Sequence, residues 1–253
     1  MILIKSKKEI DYIRLSCKIV AETLQLVKKY IKPGVTTKEL DQIAEDYILS
    51  NNATPAFKGY SQGAAAGFPA AICSSVDDEI VHGIPGNRVL KNGEIISIDV
   101  GVNKNGFFGD AALTFPVGDI SEEKKRLLEV TEKSLYIGIK EAVYDNKVHD
   151  ISGAIQEFVE SNGFSIVREL CGHGVGKFLH EDPSIPNYGK KGTGSKLKNG
   201  MTIAIEPMVN AGSYFVKTAS DGWTVLTADA QPSAHFEHTV LILNDKTEIL
   251  TVS

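Results

Sequence analysis

Two stretches of this chain repeat one another. Leu90-Lys-Asn-Gly-Glu-Ile-Ile-Ser-Ile-Asp99 and Leu197-Lys-Asn-Gly-Met-Thr-Ile-Ala-Ile-Glu206 run in parallel at a constant offset, and each ends in a carboxylate. Leu-Lys-Asn-Gly alone is a common turn into a strand, so the turn says little and the matched acid says more. In each copy the isoleucines alternate, Ile96 with Ile98 and Ile203 with Ile205. Asp99 therefore shares a strand face with Ser97, and Glu206 with Thr202 and Ala204. Small neighbours leave room for an ion beside each acid.

The surroundings of the two copies repeat as well. Ser6-Lys-Lys-Glu9 reads as a capping box, followed by Ile10, Ile13, Cys17, Val20, Leu24 and Val27 at helical spacing and ended by Pro33-Gly34. Thr36-Thr-Lys-Glu39 opens a shorter helix to about Ser50, and a Gly- and Ala-rich loop follows over residues 58–69. Strand patterns cover 70–76, 95–102 and 107–117, with Asn103-Lys-Asn-Gly106 as a hairpin turn. Helices return at 122–144 and 150–162, then strands at 165–170, 201–206, 223–227, 234–243 and 248–252. Two helices followed by strands thus occur twice. This order predicts an α+β fold of two pseudo-symmetric halves, each with outer helices on a bent antiparallel sheet, and it brings Asp99 and Glu206 together across the internal axis.

Charge and cysteine usage narrow the class. The 253 residues are 42% hydrophobic and 23% charged with a net charge of −5, an ordinary globular balance that suits one catalytic domain over 1–253 or two fused halves. No dense Lys/Arg cluster exists beyond pairs such as Lys7-Lys8, which argues against nucleic acid as a partner. The first residues turn charged after Ile4, unlike a signal peptide, and no later run is apolar enough to span a bilayer, so a cytoplasmic location is expected. Cys17, Cys73 and Cys171 are scattered and odd in number, which fits neither a disulfide framework nor a thiolate zinc site.

Asp99 and Asp110 fall on consecutive strands of one hairpin, and Glu206 and Glu237 on strands of the second half. Four carboxylates in one sheet concavity repel, so the choice is between a solvated polar face and a metal cluster. One acid alone suits the solvated face; the set, with His173 added, suits metal. His173 sits in Cys171-Gly-His-Gly-Val-Gly-Lys177, where glycines let the backbone turn and bring an imidazole near a ligand. The same glycines mimic a phosphate loop, but Lys177-Phe178 follows where that motif needs Lys-Ser/Thr.

His82-Gly-Ile-Pro85, Ile98-Asp99-Val-Gly, Gly109-Asp110, Gly172-His173-Gly-Val-Gly, His180-Glu-Asp-Pro183, Glu206-Pro-Met-Val-Asn210, Asp221-Gly-Trp223-Thr and Phe236-Glu237-His238-Thr239 together resemble the signature of type I methionine aminopeptidases, in order and through nearly the whole chain. The resemblance implies the pita-bread (creatinase/aminopeptidase) fold and two divalent ions held by Asp99, Asp110, His173, Glu206 and Glu237. In that pattern Asp110 and Glu237 bridge both ions, Asp99 completes the shell of one, His173 and Glu206 complete the other, and a hydroxide lies between. Two such ions, roughly 3.5–4 Å apart, generate a nucleophile and polarise the scissile carbonyl. Oxygen ligands with one imidazole suit Mn, Fe(II), Co or Zn.

The resemblance also implies that His180 faces the substrate carbonyl, that His82 faces the leaving-group nitrogen, and that Glu206 shuttles a proton. Tyr60, Phe68, Cys73 and Trp223 fall at pocket positions for the methionine side chain, though each suits an ordinary core equally in composition. His149, His235 and His238 take no such role, with His238 adjacent to a ligand. The implied substrates are nascent polypeptide N-termini with methionine first and a small second residue, met near the ribosome by a monomer.

This chain departs from the family pattern at several points. The stretch Ser61-Gln-Gly-Ala-Ala-Ala-Gly67 is longer than the usual loop, Leu179 and Val81 replace a frequent Phe and Cys, and Asp77 and Leu226 replace a frequent Asn and a basic residue. Two other readings compete: a proline-specific aminopeptidase or dipeptidase of the same fold, and a catalytically inactive homologue that binds peptides. The first usually carries an extra preceding domain, and the second usually loses ligands.

Overall fold

Two reciprocal caps start the molecule, seen here in a computed structural model that describes residues 2–61 and 67–252. The Ser6 hydroxyl accepts from the Glu9 N–H while the Glu9 carboxylate takes the Ser6 N–H, and Thr36 with Glu39 repeats the arrangement. Each pair satisfies orphan donors at a helix start. The first half then runs α1 (Lys7–Lys28), α2 (Thr37–Ser50), β1 (Thr54–Pro55), β2 (Cys73–Val76), β3 (Glu79–Val81), β4 (Ile95–Lys104) and β5 (Phe107–Pro116). The second runs α3 (Glu122–Glu141), α4 (Val148–Ser161), β6 (Ser165–Ile166), β7 (Cys171–Gly174), β8 (Glu181–Pro186), β9 (Thr202–Ile205), β10 (Met208–Asn210), β11 (Val216–Thr218), β12 (Val225–Thr227), β13 (Ser233–His235), β14 (His238–Ile242) and β15 (Thr247–Ile249).

The apolar stripe of α1 is buried along its length and packs on β4 and β5. Burying each such Ile or Leu contributes about 1.5–3 kcal/mol. Close approach there depends on Gly109, where a Cβ would stand 2.7 Å from the Cys17 nitrogen. β4 and β5 pair from Ile95↔Pro116 to Lys104↔Phe107, closed by Asn105 and Gly106 with φ of 57° and 80°, the left-handed pair that a tight hairpin requires. β1 and β2 flank β4 to complete an antiparallel sheet. The second half centres on a five-stranded antiparallel sheet in the order β15-β14-β9-β7-β8, covered by α3 and α4. A small sheet of β11, β12 and β3 crosses between the halves through Val225↔Val81.

Most of the expected elements are present, and the differences have physical causes. The strand expected over 165–170 is only Ser165–Ile166, and the glycine segment around His173, where no strand is expected, is strand β7. Its glycines answer interstrand crowding: a Cβ on Gly172 would lie 2.4 Å from Ala204 O, and one on Gly174 2.4 Å from Asp182 O. The single strand expected over 234–243 breaks at Phe236-Glu237 into β13 and β14, which join different sheets. Strands β1, β3, β8, β10 and β11 lie outside every expected strand range, being mostly two or three residues long. Of the long loop expected over 58–69, residues 62–66 lie outside those described.

Candidate metal centre

The β4–β5 register sets the first two acids. Asp99 pairs with Ala112 and Gly101 with Asp110, so the acids stand diagonally on one face of the hairpin. The segment through β13 and β14 is stitched beside β5: the Glu237 N–H donates to Ala112 O at 2.8 Å, and the Thr239 hydroxyl donates to Asp110 O at 2.7 Å. Glu237 occupies the break between β13 and β14, freed from the ladder to turn inward. Glu206 follows β9 one residue beyond the Ile205↔His238 pair, which makes it the neighbour of Glu237.

His173 reaches the same place from β7. Its Nδ1 lies 2.9 Å from Gly174 O, and a carbonyl oxygen only accepts, so the proton is assigned to Nδ1. The Nε2 lone pair then faces the acids, 3.5 Å from Glu206 Oε1 and 3.9 Å from Asp110 Oδ2. Ligand atoms of Asp110, His173 and Glu237 all lie within 4.8 Å of one another.

Electrostatics separate a metal site from a polar face. Asp110 is 3% exposed and Glu237 2%. Burial pushes the Asp99 carboxyl up to about 7 and Glu206 up to about 8. Burial, then repulsion from the neighbouring acids, drives Asp110 and Glu237 well above the usual carboxylate range. Burial takes His173 down to about 3, so the imidazole is neutral. Asp99 Oδ1, Asp110 Oδ1 and Glu237 Oε1 are buried without a hydrogen-bond partner. Among the described residues no Lys or Arg pairs with any of the four acids. Orphaned anionic oxygens around a neutral imidazole lone pair fit divalent cations, which supply the missing positive charge.

These groups line one cavity of about 810 Å³. The same cavity receives His82 and His180, and Tyr60, Phe68, Cys73 and Trp223 form its apolar end with Phe57, while Leu179 packs in the same apolar cluster without lining the cavity. His82 follows β3 with a φ of 60°, a conformation costly for a side chain of this kind. Burial lowers it to about 4. His180 is held below its ordinary 6.5 by the same cause, and its ring centroid is 4.2 Å from that of His173. Phe68 sets its edge against Trp223 at 5.4 Å, and Cys73 pairs with Asp99 in the sheet, which places the thiol between the acids and the apolar end.

Three neighbours escaped the motif reading. Cys171 and Met208 line the cavity two residues from His173 and Glu206. His235, taken as structural, lies with Nε2 3.5 Å from Glu206 Oε2, and neither of its ring nitrogens has a hydrogen-bond partner. The other two histidines point elsewhere: His238 bonds Thr251 and His149 bonds Thr193. Asp77, at a departure from the family pattern, receives the Lys124 ammonium at 2.6 Å. The phosphate-loop reading fails because Gly172 and Gly174 belong to a sheet strand.

Comparison with known proteins agrees with this geometry. The profile of metallopeptidase family M24 matches residues 11–244. A methionine aminopeptidase of Clostridium perfringens is 54% identical over 252 residues, covering 100% of this chain and 99% of that protein. Methionine aminopeptidase 1 of Bacillus subtilis is 55% identical over 251 residues, 99% of each. The crystal structure of a Thermotoga maritima methionine aminopeptidase superposes with a TM-score of 0.97 at 45% identity, covering all of both chains. A prolidase from Pyrococcus furiosus matches at a TM-score of 0.78 and 23% identity over 99% of this chain and 65% of its own, a likeness of fold alone. The architecture is the pita-bread fold expected from the sequence.

Proposed function

The chain belongs to metallopeptidase family M24, and from that membership and the cavity we propose that it acts as a methionine aminopeptidase on newly made polypeptides whose second residue is small. The observation that carries this reading is the joining, in one cavity, of two buried acids, Asp110 and Glu237, two half-buried ones, Asp99 and Glu206, and a neutral histidine to an aromatic pocket. In this reading Asp99, Asp110, His173, Glu206 and Glu237 hold two divalent ions, drawn from Mn, Fe(II), Co or Zn. Bound there, the ions supply Lewis acidity and a water of lowered pKa.

The remaining chemistry falls to the protein. His180, neutral, donates an N–H toward the scissile carbonyl, where negative charge develops. His82, also neutral, faces the nitrogen that leaves. Glu206, which lines the cavity beside His173, is the acid we assign to carry a proton from water to the departing amine. Tyr60, Phe68, Cys73 and Trp223 receive the methionine side chain, whose burial contributes about 1.5–3 kcal/mol with a further ~0.3–1.5 kcal/mol from sulfur on aromatic rings. A cytoplasmic enzyme working as a monomer near the ribosome belongs to the same reading; among the described residues no helix is long and apolar enough to cross a membrane.

The test is a rate comparison on Met-Ala, Met-Lys, Leu-Ala and Ala-Pro peptides with protein reconstituted in turn with each of the four metals. Met-Ala is expected to be fastest under every active metal. Faster cleavage of Ala-Pro would transfer the chain to the proline-specific relatives, and peptide binding without turnover under all four metals would make it a binding protein.

A further inference from the structure

We propose that Tyr60 is a positioning residue for His180, its hydroxyl fixing the tautomer that presents an Nε2–H to the substrate; this rests on the aminopeptidase reading above. Tyr60 Oη lies 2.6 Å from His180 Nδ1. A phenol O–H is a much stronger acid than a neutral imidazole N–H, so the phenol donates and Nδ1 accepts. The single proton of the neutral ring then resides on Nε2.

The neighbouring histidine makes the assignment informative. His173 and His180 lie with ring centroids 4.2 Å apart, yet their Nδ1 atoms meet opposite partners. The carbonyl of Gly174 accepts from His173 Nδ1 and leaves a lone pair on Nε2, which a metal ligand needs. The hydroxyl of Tyr60 gives to His180 Nδ1 and leaves a donor on Nε2, which a developing oxyanion needs. One pair of adjacent rings is thus divided into an acceptor and a donor by what stands behind each.

The contact is built on held backbone. Tyr60 N–H donates to Phe57 O, and Phe68 N–H donates to Tyr60 O, both at 2.8 Å. Asp41 Oδ1 accepts from the Ala71 and Ile72 amides and fixes the chain that follows. On the other side, Glu181 accepts from the Lys177 and Phe178 amides and from the Lys5 ammonium, which clamps the turn carrying His180.

A role in the apolar pocket and a role behind His180 are separable, because Tyr60→Phe keeps the ring and removes only the hydroxyl. Two measurements decide: steady-state kinetics on a Met-Ala peptide, and the ring-proton position of His180 by NMR of zinc-loaded, 15N-histidine protein, with His180→Gln identifying the signal. Positioning predicts that Tyr60→Phe lowers kcat by roughly tenfold or more with KM within about twofold, and that the His180 signal moves from Nε2–H toward a mixture of tautomers. Metal content should match the parent. A kcat within about twofold of the parent, or an unchanged tautomer, overturns the proposal. If the parent itself releases no methionine, the aminopeptidase reading fails and the NMR comparison alone decides: a shift upholds the Tyr60 role, and no shift ends it.

Discussion

Asp99, Asp110 and Glu237 each keep a buried oxygen with no partner, so the protein without metal works against its own charge. Asp110→Asn should abolish metal retention and lower turnover by about 1,000-fold or more. The same change should raise the stability of the metal-free protein by about 1–3 kcal/mol, because it removes a buried carboxyl that ionises freely only in the unfolded chain; metal analysis and melting curves in chelator test both halves of this expectation. The pH dependence has a defined sign. Asp99 and Glu206 are pushed up to about 7 and 8, so the folded metal-free state binds more protons than the unfolded chain until pH passes those values. His173 and His82, lowered to about 3 and 4 from 6.5, act in the opposite sense below pH 6.5. Above about pH 7.5, where unfolded imidazoles have lost nearly all their protons, only the acids of this set titrate, and melting temperature in chelator should fall as pH rises. A flat or rising curve there would contradict the burial of these carboxylates. Asp99 and Glu206 were legible in the sequence because like charges at matched strand positions demand an explanation, while Asp110 and Glu237 stood out only through neighbouring strands and the family resemblance. His235 was not, since its importance comes from Glu206, a residue of another strand.

At the scale of elements, the turn bearing His180 hangs on an ion pair whose side chains are 5% and 2% exposed, Lys5 with Glu181. Lys5→Met leaves the Glu181 carboxylate buried without its cation, which should cost about 3 kcal/mol and loosen His180. Adding Glu181→Gln should recover part of that loss in chemical denaturation, since the uncompensated charge is then removed. Helix α1 sets a second limit: Gly109→Ala would drive a methyl into the Cys17 backbone and should destabilise by about 2 kcal/mol or more. Capping boxes, the long helices and the β4–β5 hairpin were legible because their signals are local. Strand β7 was not legible because glycines there serve two flanking strands, a requirement set by the Ala204 and Asp182 carbonyls rather than by the segment itself. The break at Phe236-Glu237 was hidden for the same reason: both sides look like strand, and only the partners of β13 and β14 differ.

Across the whole molecule, the internal repeat announced two halves, but not the small sheet of β3, β11 and β12 that joins them. Metal should act on both halves at once. Ions that bind only the folded chain at 100 times their Kd add about 2.7 kcal/mol of stability, so chelation should lower the melting temperature and re-addition restore it. An unchanged melting temperature on chelation would count against a site spanning the halves. Asp99 and Asp110 come from the first half, while His173, Glu206 and Glu237 come from the second. With the ligands proposed above, a ribosome-bound fragment ending before Glu237 therefore owns no complete set, however well its early helices have formed. Among crowds of unfinished polypeptides, a scissor of this design stays blunt until its later half has folded against the earlier one.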